Sequence, residues 1–127
     1  MSVVVLDSGA LIGLERNDRG LWAALRLAAT AGDEVCVPSA ALAQVWRGSV
    51  RQVLLARALR HCAIASFDAL AYGIGALCAR AGTSDICDAH VALVAGTRGD
   101  ILYTSDAGDM RRLLAAVGRR RPVIIRC

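Results

Sequence analysis

The stretch Val3-Val4-Val5-Leu6-Asp7-Ser8-Gly9 sets the pattern for the rest of the chain. Four apolar residues, three of them β-branched, favour a short strand that is buried on both faces. The Asp-Ser-Gly that follows is typical of a strand that stops at a turn and leads into a helix. Similar runs predict four further strands, at Glu34 to Val37, Cys62 to Ala65, Ile101 to Thr104 and Val123 to Ile125.

Helical periodicity separates these runs. Apolar residues recur at i, i+3, i+4 and i+7 in four segments: Leu21 to Ala28, Leu70 to Cys78, Ile86 to Val94 and Met110 to Val117. Short strands that alternate with helices predict an α/β fold with a largely parallel sheet and right-handed crossovers. The chain has 127 residues and no repeat or linker, so we expect a single domain over residues 1–127.

The charge balance favours a polyanionic partner. The formal net charge is +4, and all 15 basic residues are Arg, with no Lys. Arg holds phosphates through a planar fork, which suits nucleic acid. Coding bias in a G+C-rich genome explains the missing Lys equally well. The longest segments without a charge, Val35 to Trp46 and Ala69 to Ala79, are too short to span a bilayer. The N-terminus is also unlike a secretory signal, so we expect a cytoplasmic protein with no membrane partner.

The five cysteines do not suggest a disulfide framework or a zinc site. They are odd in number and form no Cys-x-x-Cys pair, and we expect them to be small buried apolar residues. Cys87 and His90 lie three apart on a predicted helix, but two ligands alone make no structural zinc site.

Three aspartates fall where the ligand site of a parallel sheet is expected, beyond the carboxyl ends of the strands. Asp7 ends the first predicted strand, and Asp106 follows the fourth. Asp88 lies in the first turn of the helix before that strand. Three carboxylates on one edge are suitable oxygen ligands for Mg²⁺ or Mn²⁺.

Neighbouring acidic residues leave two interpretations open. Asp85 and Asp88 share one face if the helix begins near Ser84, so Asp85 is either a fourth metal ligand or only a helix cap. Asp106 and Asp109 have the spacing of a capping box. There we assign the cap to Asp109 and the metal to Asp106. Asp7 is alternatively a simple turn residue, although a buried strand end is a costly place for an unneeded carboxylate.

Four motifs follow one another along nearly the whole chain. They are Val4-Val5-Leu6-Asp7-Ser8-Gly9-Ala10-Leu11, the segment from Pro38 to Gly48, Asp85-Ile86-Cys87-Asp88-Ala89-His90-Val91-Ala92, and Leu102-Tyr103-Thr104-Ser105-Asp106. Taken together and in this order, they resemble the PIN-domain family, and within it the VapC-type toxins of bacterial toxin–antitoxin pairs.

The resemblance implies a three-layer α/β/α fold around a sheet of about five strands. It also implies a metal-dependent endoribonuclease that uses Mg²⁺ or Mn²⁺, forms homodimers and is inhibited by a small antitoxin protein. By position, Asp7, Asp88 and Asp106 match the family's catalytic and metal-binding acids, and Asp85 is a weaker extension. Thr104 matches a supporting hydroxyl. For the RNA backbone, the candidates are Arg47 and the C-terminal cluster of Arg111, Arg112, Arg119, Arg120 and Arg121.

One departure from the family pattern concerns Gln44, which stands where the family has a Glu. An amide offers one neutral oxygen, so metal binding should be weaker. Either Asp85 compensates, or the chain is a low-activity form, natural or engineered. This leaves a second interpretation, a PIN-fold module that binds RNA or a protein without efficient cleavage. A phosphoacceptor receiver domain fits less well because it needs a Lys near the fifth strand. A dinucleotide-binding domain fails for lack of Gly-x-Gly-x-x-Gly.

Overall fold

Five parallel strands form one sheet in the computed structural model, which describes residues 1–127. The strands are β1 (Val3–Leu6), β2 (Glu34–Pro38), β3 (Ala63–Ala65), β4 (Ile101–Thr104) and β5 (Val123–Arg126). All five predicted strands are present, and each boundary differs from the prediction by at most one residue.

Seven helices connect the strands. They are α1 (Ser8–Glu15), α2 (Arg19–Ala31), α3 (Ser39–Val45), α4 (Val53–Leu59), α5 (Ala71–Ala81), α6 (Ile86–Arg98) and α7 (Ala107–Val117). Short 3₁₀ turns precede α4 and α5, at Val50–Gln52 and Asp68–Leu70. The sequence did not predict α4, because two turns of helix are too short to display a periodic apolar face.

The strand order is β3-β2-β1-β4-β5. From β1 the chain moves through β2 to β3 on one side, and it then returns to place β4 on the other side of β1. The carboxyl ends of β1 and β4 therefore flank the point at which the direction of winding reverses. In sheets of this type a ligand crevice opens at that point.

The helices form two layers around the sheet. Helix α1 packs against α2 and α4, whereas α5, α6 and α7 pack against one another. Right-handed crossovers place these two groups on opposite faces, and α3 contacts both α1 and α6. The predicted three-layer α/β architecture is confirmed. None of the helices combines the length and the apolarity needed to cross a membrane.

The core is formed by the central strands and the helix faces that cover them. Val5 and Leu102 are fully buried, whereas Ile64 on β3 and Val123 on β5 are exposed at the two sheet edges. The expectation for the cysteines holds fully only for Cys36. All five are free thiols, three of them are partly exposed, and Cys127 is exposed near the C-terminus, where the sheet ends.

Candidate acidic active site

Asp7 links the ends of the two central strands. Its backbone N–H donates to the carbonyl of Tyr103 (3.1 Å) and so continues the pairing of β1 with β4. Its Oδ1 accepts from the N–H of Ala10 (2.9 Å), which caps α1, and its Oδ2 accepts from the N–H of Ser105 (3.2 Å). The residue is only 5% exposed. These bonds fix the carboxylate at the winding reversal and satisfy it there.

The start of α1 lies unusually close to the turn after β4. A Cβ on Gly9 would clash with both Oγ and Cβ of Ser105, so only glycine allows this approach. In the same turn, the buried Thr104 accepts a hydrogen bond at Oγ1 from the N–H of Asp106 (2.9 Å). The Thr104 hydroxyl therefore orders the segment that carries Asp106.

Asp85 is the N-cap of α6, because its Oδ1 accepts from the N–H of Asp88 (3.0 Å). The helix begins at Ile86, two residues after the expected start near Ser84. Asp85 lies just outside the helix, and its side chain is close enough to that of Asp88 for a hydrogen bond between them. This is the capping interpretation that the sequence left open.

The assignment of the α7 cap to Asp109 is wrong. Asp106, and not Asp109, caps this helix, because the Oδ1 of Asp106 accepts from the N–H of Asp109 (3.3 Å). Asp109 is exposed, and its Oδ1 lies 4.0 Å from Nη2 of Arg112. In a capping box the N-cap residue precedes its partner by three positions, and in this pair that residue is Asp106.

Asp88 lies in the combined electric field of the other three aspartates. Burial, the charge of Asp85 and a hydrogen bond to it, and the charges of Asp106 and Asp7 raise the pKa of Asp88 to about 6. A carboxyl group that resists ionisation in this way indicates excess negative charge around it. A cation bound at this edge would relieve that repulsion.

The donor set suits a hard divalent cation, because every candidate ligand atom is an oxygen. The side chains are nevertheless not arranged for coordination in this structure. No three Asp, Glu, His or Cys side chains converge closely enough to hold a metal ion, and both oxygens of Asp7 already accept backbone hydrogen bonds. The aspartates thus share a field but do not form a coordination shell.

Gln44 reaches from α3 towards α6. Its Oε1 accepts a hydrogen bond from the Sγ of Cys87 (3.0 Å), the residue before Asp88. Burial and the charges of Asp88, Asp85 and Asp7 raise the pKa of the Cys87 thiol to about 11, so it stays protonated as the donor. Ser39, the first residue of α3, accepts at Oγ from the N–H of Phe67 (3.0 Å) and does not cap the helix.

A polar groove of about 410 Å³ adjoins the acidic edge. Ser8 and Gln44 lie at the acidic end, and the guanidinium-bearing residues on its walls are Arg16, Arg47 and Arg51. We call it the first groove. The sequence proposed Arg47 for RNA binding but did not predict the groove itself. Its walls come from α1 and from the segment after α3, which are distant in sequence.

Gln52 organises one wall of this groove and was missed at the sequence level. It is 4% exposed, and its Oε1 accepts from the N–H groups of Arg47 (2.8 Å) and Gly48 (3.1 Å). Its Nε2 donates to Glu15 (2.7 Å) and to the carbonyl of Val45 (2.9 Å). No local pattern identifies such a residue, because all its partners are set by tertiary packing.

Two of the arginines proposed for RNA, Arg47 and Arg112, lie in different places. Arg47 lines the first groove, where its Nη1 donates to the carbonyls of Trp46 (2.7 Å) and Ala43 (3.3 Å). Arg112 lies on α7, where its Nη1 donates to the carbonyl of Ala81 (2.6 Å) at the end of α5, and it does not line the groove.

His90 is a buried core residue. Its ring is fully buried and packs edge-on against Phe67 at a centroid distance of 5.3 Å. Its Nδ1 accepts from the N–H of Ala40 (3.4 Å), and burial lowers the pKa of His90.

An all-parallel sheet in the order β3-β2-β1-β4-β5, with aspartates at the carboxyl ends of β1 and β4, defines a PIN-like α/β domain. Among solved structures, the fold is similar to a chain of VapBC2 from Rickettsia felis, whose crystal structure was determined bound to a DNA fragment from their promoter. The two chains share 15% identity over 98% of each, with a TM-score of 0.68. At this identity the likeness concerns the fold. No protein-family model matches the sequence, and no curated protein matches it significantly.

Proposed function

We propose that this protein is a metal-dependent endoribonuclease and the toxin of a VapBC-type pair. The observation that carries the proposal is the cluster of Asp88 with Asp7, Asp85 and Asp106, in which burial and the charges of the other three raise the pKa of Asp88 to about 6, beside a groove lined with arginines. The motif resemblance and the fold shared with a chain of the VapBC2 complex support it. Both the acid cluster and the basic groove are features that a phosphodiesterase requires.

The residues divide the work of hydrolysis between them. Asp7, Asp88 and Asp106 would hold Mg²⁺ or Mn²⁺, and Asp85 would contribute a carboxylate oxygen. When bound, such a cation polarises the scissile phosphate and lowers the pKa of a coordinated water. Thr104 keeps Asp106 in place through its backbone hydrogen bond. The arginines of the first groove hold the RNA backbone by charge-assisted contacts.

The partners follow from the same proposal. We expect RNA as substrate, a small antitoxin protein as inhibitor, a homodimer as the working form, and the cytoplasm as the place of action. Arg112 stays a second candidate for RNA contact, on α7 and apart from the first groove.

Metal-dependent cleavage is the direct test. The purified chain, incubated with labelled RNA in Mn²⁺, should produce defined fragments that disappear in EDTA. Asp7→Asn, Asp88→Asn and Asp106→Asn should each lower the rate by more than about 100-fold, since even residues that only support metal ligands cost 10–100-fold. Asp109→Asn is the matched control, because it lies three residues from Asp106 with an exposed side chain, and it should keep most activity. Equal rates in all four variants would point to a contaminating nuclease and refute the site.

A second function is favoured by two observations. Gln44 lacks the charge of a carboxylate, and no three ligand side chains converge. Both fit a PIN-fold module that binds RNA or a protein partner without efficient cleavage. RNA binding in the absence of any Mn²⁺-dependent cleavage would establish this alternative over the nuclease.

A further inference from the structure

A second basic groove, of about 470 Å³, lies next to the first. It is lined by Arg19, Arg26 and Arg57 together with Asn17, Trp22 and Leu54. Arg16 of the first groove is adjacent in sequence to Asn17 of the second, and Gln52 is followed closely by Leu54. Because α1 packs against α4, the two grooves follow the same seam, between the end of α1 and the start of α4. We call the surface made by these two grooves the arginine track.

The arginines of the track have no carboxylate partner. The ion pairs of the structure join Arg98 to Glu34, Arg112 to Asp109 and Arg120 to Asp100, and none of these residues lines either groove. Of the six track arginines, only Arg47 donates side-chain hydrogen bonds, and both go to carbonyls.

One carboxylate, Glu15, lines the track, and its Oε1 accepts a hydrogen bond from Gln52. The six positive charges that line the two grooves, with this one negative charge among them, repel one another in the unbound protein. A polyanion relieves that repulsion.

The walls of the track are held by interior hydrogen bonds. Gln52 fixes the segment that carries Arg47 and Arg51 through its four hydrogen bonds. In the second groove, the half-buried Trp22 donates its indole N–H to the carbonyl of Leu14 (3.2 Å). A surface that is ordered before binding loses less conformational entropy when a ligand arrives.

We infer that the arginine track binds the backbone of single-stranded RNA and guides it into the acidic edge. This inference rests on the proposed ribonuclease function. Three observations favour an RNA strand over an acidic protein segment. The six positive charges are distributed over two grooves and not gathered at one point, which suits contacts with several phosphates of one strand. The first groove reaches Ser8, which follows Asp7 in the chain, and Gln44, whose side chain contacts Cys87. The one aromatic residue in the second groove, Trp22, offers a ring for a base.

The salt dependence of the RNA affinity measures how many phosphate contacts the bound strand makes. Fluorescence anisotropy of a labelled ten-nucleotide RNA is followed in EDTA, where cleavage is off, over a series of salt concentrations. The double variant Arg51→Gln/Arg57→Gln should reduce the slope of log K against log salt by about 1.4, since each phosphate contact to a single strand contributes about 0.7. The matched control is Arg80→Gln/Arg98→Gln, which removes two charges from α5 and α6 on the opposite layer, outside both grooves, and should leave the slope unchanged.

Trp22 reports whether the strand reaches the second groove. In a Trp46→Phe background Trp22 is the only tryptophan, so its fluorescence should change with the ten-nucleotide RNA and stay constant with a three-nucleotide RNA. Three results would each overturn the inference. They are a slope in the track variant equal to that of the parent protein, a loss of slope in the control variant equal to that in the track variant, and stronger competition for binding by oligoglutamate than by RNA. If the parent protein still cleaves RNA in Mn²⁺, such a result rejects the track alone and leaves the nuclease proposal standing.

Discussion

At the scale of single residues, the aspartates at the carboxyl edge of the sheet combine two uses. Asp7, Asp85 and Asp106 each accept at least one backbone hydrogen bond at the start of a helix, and a helix N-terminus also stabilises their charge. Asp88 accepts no such bond and experiences the charges of the others. Capping and metal binding select the same residue type at the same place, so spacing alone does not separate them.

The raised pKa of Asp88 predicts a pH-dependent gain in stability when its charge is removed. Since the pKa is about 6 in the folded protein, against an ordinary value of 3.8 for an aspartate, the destabilisation is absent at low pH and complete once pH rises through 6. Asp88→Asn should therefore increase the free energy of unfolding by about 1–2 kcal/mol at pH 8 in EDTA, after allowance for solvent screening. The gain should vanish near pH 4. Urea unfolding at both pH values checks this, and an equal gain at both would assign the effect to something other than ionisation.

Gln44 is the residue at which added charge should help. Gln44→Glu would place a carboxylate beside Cys87 and close to Asp88. One further unit charge near the cation is worth at least about 1 kcal/mol even in water, or roughly a fivefold tighter Kd for Mn²⁺. Ribonuclease activity should rise as well, while the metal-free protein should become less stable through added repulsion.

Calorimetric titration with Mn²⁺ measures the affinity of the Gln44→Glu variant. Ala115→Glu, at an exposed position near the far end of α7, adds the same charge away from the site and should leave the affinity unchanged. An unaltered Kd in Gln44→Glu would show that the α3 side chain does not contribute to metal binding.

At the scale of elements, the connection between α3 and α4 depends on one buried side chain. Gln52 satisfies two N–H groups and one carbonyl of this connection, and it also binds Glu15 on α1. Gln52→Leu would leave these groups without partners, at a cost of about 2–3 kcal/mol in unfolding free energy. Val53→Ala, at the next and largely exposed position, should change stability little. Chemical denaturation compares the two, and similar losses would mean that the hydrogen bonds of Gln52 are not what holds the segment.

At the scale of the whole molecule, the strand order determines where the charges meet. Residues 7, 85, 88 and 106 are spread over most of the chain, and they come together because β4 pairs with β1 after the chain has formed β2 and β3 on the other side. A ligand that binds this edge joins the first strand to the last third of the chain. It should therefore stabilise the fold as a unit.

Metal binding should appear as a shift in thermal unfolding. At a Mn²⁺ concentration of about 100 times Kd, binding to the native state adds about 2.7 kcal/mol, which raises Tm by roughly 10 °C for a chain of this size. Asp7→Asn should remove most of this shift. A Tm that is the same in Mn²⁺ and in EDTA for the parent protein would contradict the metal site.

The sequence by itself determined the α/β class, all five strands, the main helices and the positions of Asp7, Asp88 and Asp106 at the ends of elements. It could do so because burial of strands and amphipathic helices is a local, periodic property. Only the tertiary structure decided that Asp85 and Asp106 are caps, that Gln52 holds a loop, and that arginines from α1, α2, α4 and the segment before α4 line a common seam. The caps are local contacts, but their spacing also fits metal binding, so the sequence left them open or assigned them to the wrong residue. The loop and the seam depend on contacts between residues far apart in the chain, which packing alone brings together.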